Sequence, residues 1–251
     1  MSHMFSLESV SKSFTADTGT IDVIKDITLN VEEGQFLCIV GPSGCGKTTL
    51  LKIMCGLEQP TSGKVLIKGV SPDPKVQKFG VIFQEESLLP WRSIRKNVEF
   101  GQELTDRKIS NELTEKYISM VGLEGFENYY PHQISGGMKK RVAIARALAV
   151  EPDIMMMDEP FADLDAQTRW ILQKELLSIW QKLHKTVIFI THNVEEAVFL
   201  GQKVAILTTR PATLKTLIEI NLPYPRDRLS PPAISFREKI IEVLRCEVPT
   251  I

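Results

Sequence analysis

Cysteine is scarce in this chain of 251 residues. The four present, Cys38, Cys45, Cys55 and Cys246, form no CxxC pair and no Cys/His cluster with zinc spacing. That usage excludes a disulfide scaffold and a zinc module, and it suits a reducing compartment. Cys38 lies in an apolar run and reads as a buried thiol. Long apolar stretches are missing too. None approaches the ~20 residues that a membrane-spanning helix needs, so any service to a membrane is expected to run through a partner. Neither sign of charge is in excess: 30 Lys and Arg stand against 31 Asp and Glu, a net charge of -1. Such a chain has no field of its own to attract nucleic acid or anionic lipid, and no nucleic-acid partner is expected. No internal repeat, low-complexity tract or secretory signal is present. Ser2-His3-Met4 reads as an appended leader, with native sequence expected from about Met4.

What is present suits a sizeable buried core: 43% of residues are apolar and 24% charged. Residues 5–10 and 21–31 alternate in polarity and predict antiparallel strands joined by a loop at Asp17, Thr18 and Gly19. Residues 36–40 are wholly apolar, as a strand covered on both faces requires. A Gly-rich turn then leads into a helix over about 47–55, with Gly56 at its stop. Residues 65–67 and 79–83 read as further strands. From Glu85 to about Glu151 the pattern turns helical: Ile109, Leu113, Tyr117, Ile118 and Val121 share one helical face, and 138–150 is a second helix ended by Pro152. Strands resume at 154–157, 186–190 and 203–207. Between them lie a long helix marked by Leu172, Leu176, Ile179, Trp180 and Leu183, and a short one over 194–200. The tail carries a strand at 214–220, a loop through Pro223, Pro225, Pro231 and Pro232, and a last helix near 236–245. Strands alternating with helices predict a mainly parallel sheet with the helical span inserted in it.

Residues 41–48 read Gly41-Pro42-Ser43-Gly44-Cys45-Gly46-Lys47-Thr48, the pattern G-x-x-x-x-G-K-[ST]. Glycines let backbone N–H groups turn inward on a polyanion with no Cβ in the way. Lys47 would set a cation on the β- and γ-phosphates of a nucleotide, and Thr48 would offer a hydroxyl to Mg²⁺, with Thr49 beside it in the nucleotide-binding set. The helix that follows aims its positive end at the phosphates. Downstream, the strand at 154–157 ends in Asp158-Glu159-Pro160. Taken alone, such a pair is most often a solvated loop. Beside a phosphate loop the balance reverses: Asp158 would hold Mg²⁺, mostly through water, and Glu159 would polarise the attacking water as general base.

Between these motifs stands Ile134-Ser135-Gly136-Gly137-Met138, just ahead of a helix. Its plain reading is an N-cap with a flexible turn. In this order, however, the three motifs resemble those of ABC transporter ATPases, whose signature is LSGGQ, and the resemblance runs from about residue 5 to 207. It implies further roles. Phe14 matches the aromatic residue that stacks on adenine, Gln84 the glutamine that touches Mg²⁺ and the attacking water, Asp165 the D-loop aspartate that contacts a facing subunit, and His192 the histidine that senses the γ-phosphate. Met138 stands where many members have Gln, and Phe14 where Tyr is commoner.

The implied fold is α/β: a P-loop NTPase (RecA-like) core with an antiparallel β-subdomain and an inserted α-helical subdomain. One domain is expected over 4–235, its core at 4–85 and 152–210 and its helical part at 86–151, with a strand and helix tail over 211–251 packed on the core. The resemblance further implies ATP and Mg²⁺ as cofactors and an ATP-dependent homodimer in which Ser135, Gly136 and Gly137 act in trans. It also implies two transmembrane permease subunits as partners and a peripheral place on the cytoplasmic face of the membrane.

Leu88-Leu89-Pro90-Trp91-Arg92 with Asn97-Val98, Thr209-Arg210-Pro211 and Pro225-Arg226 resemble the nitrate, sulfonate and taurine importer group, which implies a solute-binding protein in the same system. A packed Trp at a helix start is the plainer reading of Pro90-Trp91. A soluble, non-transport ABC ATPase is the competing function, but such proteins usually carry two cassettes or a long coiled-coil insertion. A GTPase would need a guanine-reading motif, which is missing. His132 reads as a surface residue and His184 as a helix end. Residues 139–141, Lys-Lys-Arg, read as a solvated face or ion-pair site, and the three methionines 155–157 as plain core.

Overall fold

A strand buried on both faces needs an unbroken apolar run, and three five-residue strands of this kind carry the fold. In the computed structural model, which describes residues 3–16, 19–73, 78–84, 88–103 and 108–247, the elements follow in chain order. They are β1 (Phe5–Ala16), β2 (Gly19–Val31), β3 (Phe36–Val40), α1 (Lys47–Met54), β4 (Ser62–Ile67), β5 (Phe79–Ile82), α2 (Ile94–Glu103) and α3 (Asn111–Met120). After a 3₁₀ turn at Pro131–Gln133 come α4 (Gly136–Ala149), β6 (Ile154–Asp158), α5 (Ala166–Leu183), β7 (Thr186–Ile190), α6 (Val194–Leu200), β8 (Lys203–Leu207), β9 (Leu214–Glu219) and α7 (Pro231–Arg245). The chain divides into two compact units, residues 1–76 with 186–251, and residues 77–185.

In the first unit β1 pairs antiparallel with both β2 and β4. Both long strands outrun the alternating stretches 5–10 and 21–31, because residues 12–16 still pair across to 19–24. A second sheet holds β3 parallel to β7 and β8, with β9 antiparallel on the far side of β8. Phe36 and Phe189 meet across β3 and β7 with ring centroids 6.0 Å apart. Helix α1 closes where Gly56 takes φ +74°; Gly56 N–H donates to Ile53 O and Leu57 N–H to Lys52 O. Pro231 and Pro232, expected in the tail loop, instead open α7, where a missing N–H costs nothing. Asp17 and Thr18 lie outside the described residues.

In the second unit β5 lies parallel to β6, and α4 packs against α2, α3, α5 and β5. Ile109 does not join the helical face assigned to it: α3 begins after Ser110, whose hydroxyl accepts from Leu113 N–H, and Ile109 stays exposed. Tyr117, Ile118 and Val121 are buried as expected. Lys140 departs from the solvated face expected for residues 139–141. It is buried, and its ammonium donates to Gln84 O at 2.9 Å. Its neighbour Arg141 forms the ion pair, 2.6 Å from Glu175. Trp91 is not packed but exposed. His184 is the left-handed C-cap of α5, and the three methionines of β6 are core. Glu85, where the helical span is expected to start, lies outside the described residues. Among the described residues no helix is long and apolar enough to cross a membrane.

Two contacts generate stability predictions. Arg226 is buried and lays its guanidinium across four carbonyls: Val198 O and Gly201 O at 2.6 Å each, Ile220 O at 3.0 Å and Leu222 O at 3.2 Å. It thereby ties the end of α6 to the segment that follows β9, while Tyr224, under the guanidinium, donates to Leu200 O. Burial pushes the Arg226 pKa down, and the four acceptors keep it hydrogen-bonded. R226A should lower unfolding stability by about 3 kcal/mol by leaving those carbonyls unpaired, read as a fall in the urea midpoint. R226K should recover less than half, because an ammonium cannot reproduce the planar fork. In the second unit a Cβ on Gly137 would lie 2.6 Å from Thr168 Cγ2. G137A should therefore cost about 1–3 kcal/mol by overpacking. T168S, which removes that methyl, should restore the midpoint in the double variant; no recovery would mean that the clash lies elsewhere.

Candidate functional site

The loop 41–48 hangs between the end of β3 and the start of α1. Its shape depends on glycine: Gly44 has φ +71° and Gly46 φ +122°, and a Cβ on Gly46 would also strike Val23 Cγ1 at 2.8 Å. Gly46 is the N-cap of α1 and supplies no side-chain acceptor, so no side chain of the cap competes for the first N–H groups of the helix. Lys47 is buried, and its ammonium donates to Gly41 O and Pro42 O at 3.0 Å each. The charge is thus held inside the loop by the loop's own carbonyls. Ser43 and Thr48 are exposed, Pro42 and Thr49 half-buried, and Cys45 is buried under Lys47. Burial pushes the Cys45 thiol pKa up, with the Lys47 charge opposing it, so the thiol stays neutral.

Two further predicted residues belong to this first unit. Phe14 on β1 is exposed, and Lys12 Nζ stands 4.7 Å from its ring centroid. Lys12 is itself pinned by Glu58 at 2.6 Å and by Gln59 O at 2.8 Å, which leaves the ring on a fixed cationic support. His192 is exposed in the turn between β7 and α6. Thr191 Oγ1 donates to Glu196 at 2.5 Å and accepts from Asn193 N–H, while Asn193 caps α6 by accepting from Glu195 N–H and Glu196 N–H. Both neighbours of His192 are therefore tied down, and its imidazole is presented from a fixed backbone.

The second unit holds the acidic pair and the signature residues. Asp158 is buried at the end of β6. Glu159 follows with φ +45°, a left-handed conformation that costs a non-glycine residue about 1 kcal/mol or more and is often found at functional positions. Ser135 caps α4 by accepting from Met138 N–H at 3.3 Å, and Asp165 caps α5 by accepting from Gln167 N–H and Thr168 N–H at 3.0 and 2.9 Å. The Thr168 hydroxyl first, and then these amide bonds, hold the Asp165 carboxyl below the usual carboxylate range. Because Gly137 lies against Thr168 and Gly136 faces Leu164, the two capped helix starts sit side by side. The structure thus brings Ser135, Gly136, Gly137 and Asp165 together. Gln84 has an exposed side chain, and its carbonyl is fixed by Lys140, one turn into α4.

Lys140 and Thr168 were missed by sequence reasoning. Lys140 lies three residues after Gly137 and four before Ile144, on the buried face of α4, and that spacing was available as a signal. Arg210 was noted only for its subgroup resemblance, yet it donates to Gly44 O at 2.8 Å across 166 residues of sequence. No local pattern could have shown this.

The ABC transporter family model matches residues 24–162. The chain is 42% identical over 237 residues to the aliphatic sulfonates import ATP-binding protein SsuB of Bacillus cereus, covering 94% of each chain. It is 43% identical over 219 residues to the nitrate import ATP-binding protein NrtD of Synechocystis sp., covering 86% of this chain and 82% of that one. Its fold superposes on a dimeric ATP-binding cassette solved in a post-hydrolysis state bound to ADP and Pi, with TM-score 0.77, 31% identity, and coverage of 88% of this chain and 100% of that chain. The matched span takes in the phosphate loop, the signature turn and the acidic pair, and the chain belongs to the ABC transporter family as an ATP-binding, ATP-hydrolysing subunit.

Proposed function

We propose that this subunit powers import of a small oxyanion-bearing solute, of the sulfonate or nitrate kind, from the cytoplasmic face of a membrane. It would work beneath two transmembrane subunits, with a solute-binding protein in the same system. The observation that carries the membrane partner is Trp91, 71% exposed on a turn that is otherwise fixed. Asn97, fully buried, accepts from Leu89 N–H at 2.8 Å and donates to Leu89 O, Arg92 O and Ser93 O at 3.1, 2.9 and 3.1 Å. An indole held in water by a stapled turn is a preorganised anchor for a partner pocket. The solute class follows the functions for which the two relatives are named, sulfonate import and nitrate import, in proteins that match 94% and 86% of this chain.

In the reaction, Phe14 stacks on adenine, and residues 41–49 wrap the phosphates with their N–H groups, Pro42 excepted. Lys47 sets its charge on the β- and γ-phosphates, and Glu159 takes the proton of the attacking water. Gln84 orients that water, and His192 reads the γ-phosphate. Ser135, Gly136 and Gly137 of a second copy close over the nucleotide, and Asp165 meets that copy. Mg²⁺ fits this donor set. Thr48 and Asp158 offer a hydroxyl and a carboxylate, Gln84 an amide oxygen, and magnesium is held by one or two carboxylates together with substrate phosphates rather than by an all-protein cage. Among the described residues no group of three or more His, Cys, Asp or Glu could form such a cage. When bound, the ion neutralises charge developing on the phosphates.

Closure of the pair by ATP and its opening after hydrolysis form a ligand-driven shift between two states. E159Q should lower kcat by about 100-fold or more, as loss of a general base does. In light scattering it should also move from monomer to dimer on adding ATP, and changing Ser135 as well should abolish the dimer. An E159Q protein that hydrolyses ATP at the wild-type rate would remove Glu159 from this role. For the partner, W91A should leave ATP affinity intact and weaken co-purification of the transmembrane subunits; unchanged co-purification would sink the docking surface.

A further inference from the structure

The hairpin between β8 and β9 reaches back to the phosphate loop at three places. Arg210 Nη2 donates to Gly44 O at 2.8 Å. Ala212 bridges to β2, donating its N–H to Val23 O and accepting from Lys25 N–H, both at 2.9 Å, and Val23 is the residue that walls off Gly46. Leu207, the last residue of β8, stands 3.1 Å from where a Cβ on Gly41 would be. The turn is closed on itself by Thr208, whose hydroxyl accepts from Thr213 N–H at 2.8 Å and whose N–H donates to Thr213 O at 3.1 Å. The loop is therefore braced from outside at its first glycine and at its last, and Arg210 grips the one between.

That grip acts on a single peptide unit. The carbonyl of Gly44 and the N–H of Cys45 belong to one plane. Arg210 holds the carbonyl end, and Cys45 N–H donates to Pro42 O at 3.3 Å. Gly44 has φ +71° and no non-neighbouring heavy atom within 4 Å of where its Cβ would be, so packing does not choose the plane's orientation. A glycine has several basins close in energy, and a charge-assisted hydrogen bond can select one of them. The ordering cost is then met before nucleotide arrives.

We propose that Arg210 is a positioning residue for nucleotide phosphates: together with the Cys45 N–H to Pro42 O bond it holds the Gly44–Cys45 peptide plane, and with it the turn that leads into α1, in one orientation before nucleotide arrives. This rests on the reading of residues 41–48 as the phosphate loop. The test is calorimetric titration of the full chain with ADP and magnesium, for wild type, R210M, R210K and K47A. R210M keeps the aliphatic stem and drops the donors. It should weaken ADP binding by about 2- to 5-fold, the range for a solvent-exposed bond to a charged donor. It should also raise the KM for ATP with kcat unchanged at saturation, and leave the nucleotide-free Tm where it was. R210K, which can still donate to Gly44 O, should recover much of the affinity. An R210M protein that binds ADP as wild type does overturns the proposal. So does a loss of affinity matched by a fall in nucleotide-free Tm, because the hairpin would then be holding the fold rather than aiming the loop. K47A separates the two levels. If it binds ADP as tightly as wild type, the phosphate-loop reading itself fails; if it loses binding while R210M keeps it, only the role of Arg210 fails.

Discussion

A lysine that is charged and almost out of water has to be given oxygen atoms, and much of the first unit is arranged to do that for Lys47. Its ammonium rests on Gly41 O and Pro42 O. Those carbonyls can turn inward because the backbone is left-handed at Gly44 and Gly46, and because Val23 and Leu207 wall the loop where side chains would otherwise stand. β3 delivers the loop, and β3 in turn needs β7 and β8 on its two edges. An uncompensated buried cation would cost several kcal/mol, more than any single apolar contact around it returns. The glycines at 44 and 46 answer that constraint within the loop.

In the second unit, local stability and function use the same atoms. Ser135 and Asp165 are ordinary helix caps, each occupied with its own first-turn amides. A hydroxyl that accepts one bond can still donate another, and a carboxylate with two oxygens can cap and accept elsewhere. Both residues can therefore hold their helices and still meet a second copy, which explains how a turn with a plain structural reading carries a family signature. Packing through Gly137 and Thr168 sets the two caps side by side.

Much of this was legible in the sequence. Strands 36–40, 186–190 and 203–207 and the helix 194–200 are apolar or periodic enough to be read to the residue, and the structure gives those bounds. Phosphate loop and acidic pair were readable because their chemistry forces a local spacing. The misreadings share a cause. Pro231 and Pro232 look like loop residues unless the helix behind them is known, Ile109 fits a helical period but lies before the cap at Ser110, and Lys140 looks solvated among its charged neighbours. Arg210 and Arg226 were hardest, because each finds its partners as carbonyl oxygens of distant backbone, and a carbonyl leaves no mark in a sequence.

The burial of Cys45 has a chemical consequence. A thiol in the middle of a nucleotide loop would ordinarily make an enzyme vulnerable to oxidants and alkylating agents, since it is the thiolate that reacts. Here the sulfur is covered and its pKa pushed up, and Cys38 and Cys55 are buried with theirs raised as well. Cys246, at the end of α7, is the one exposed thiol of the four. Electrophiles would be drawn to that end of the tail, so a maleimide dye could mark the native chain at a single place and leave the loop 41–48 untouched.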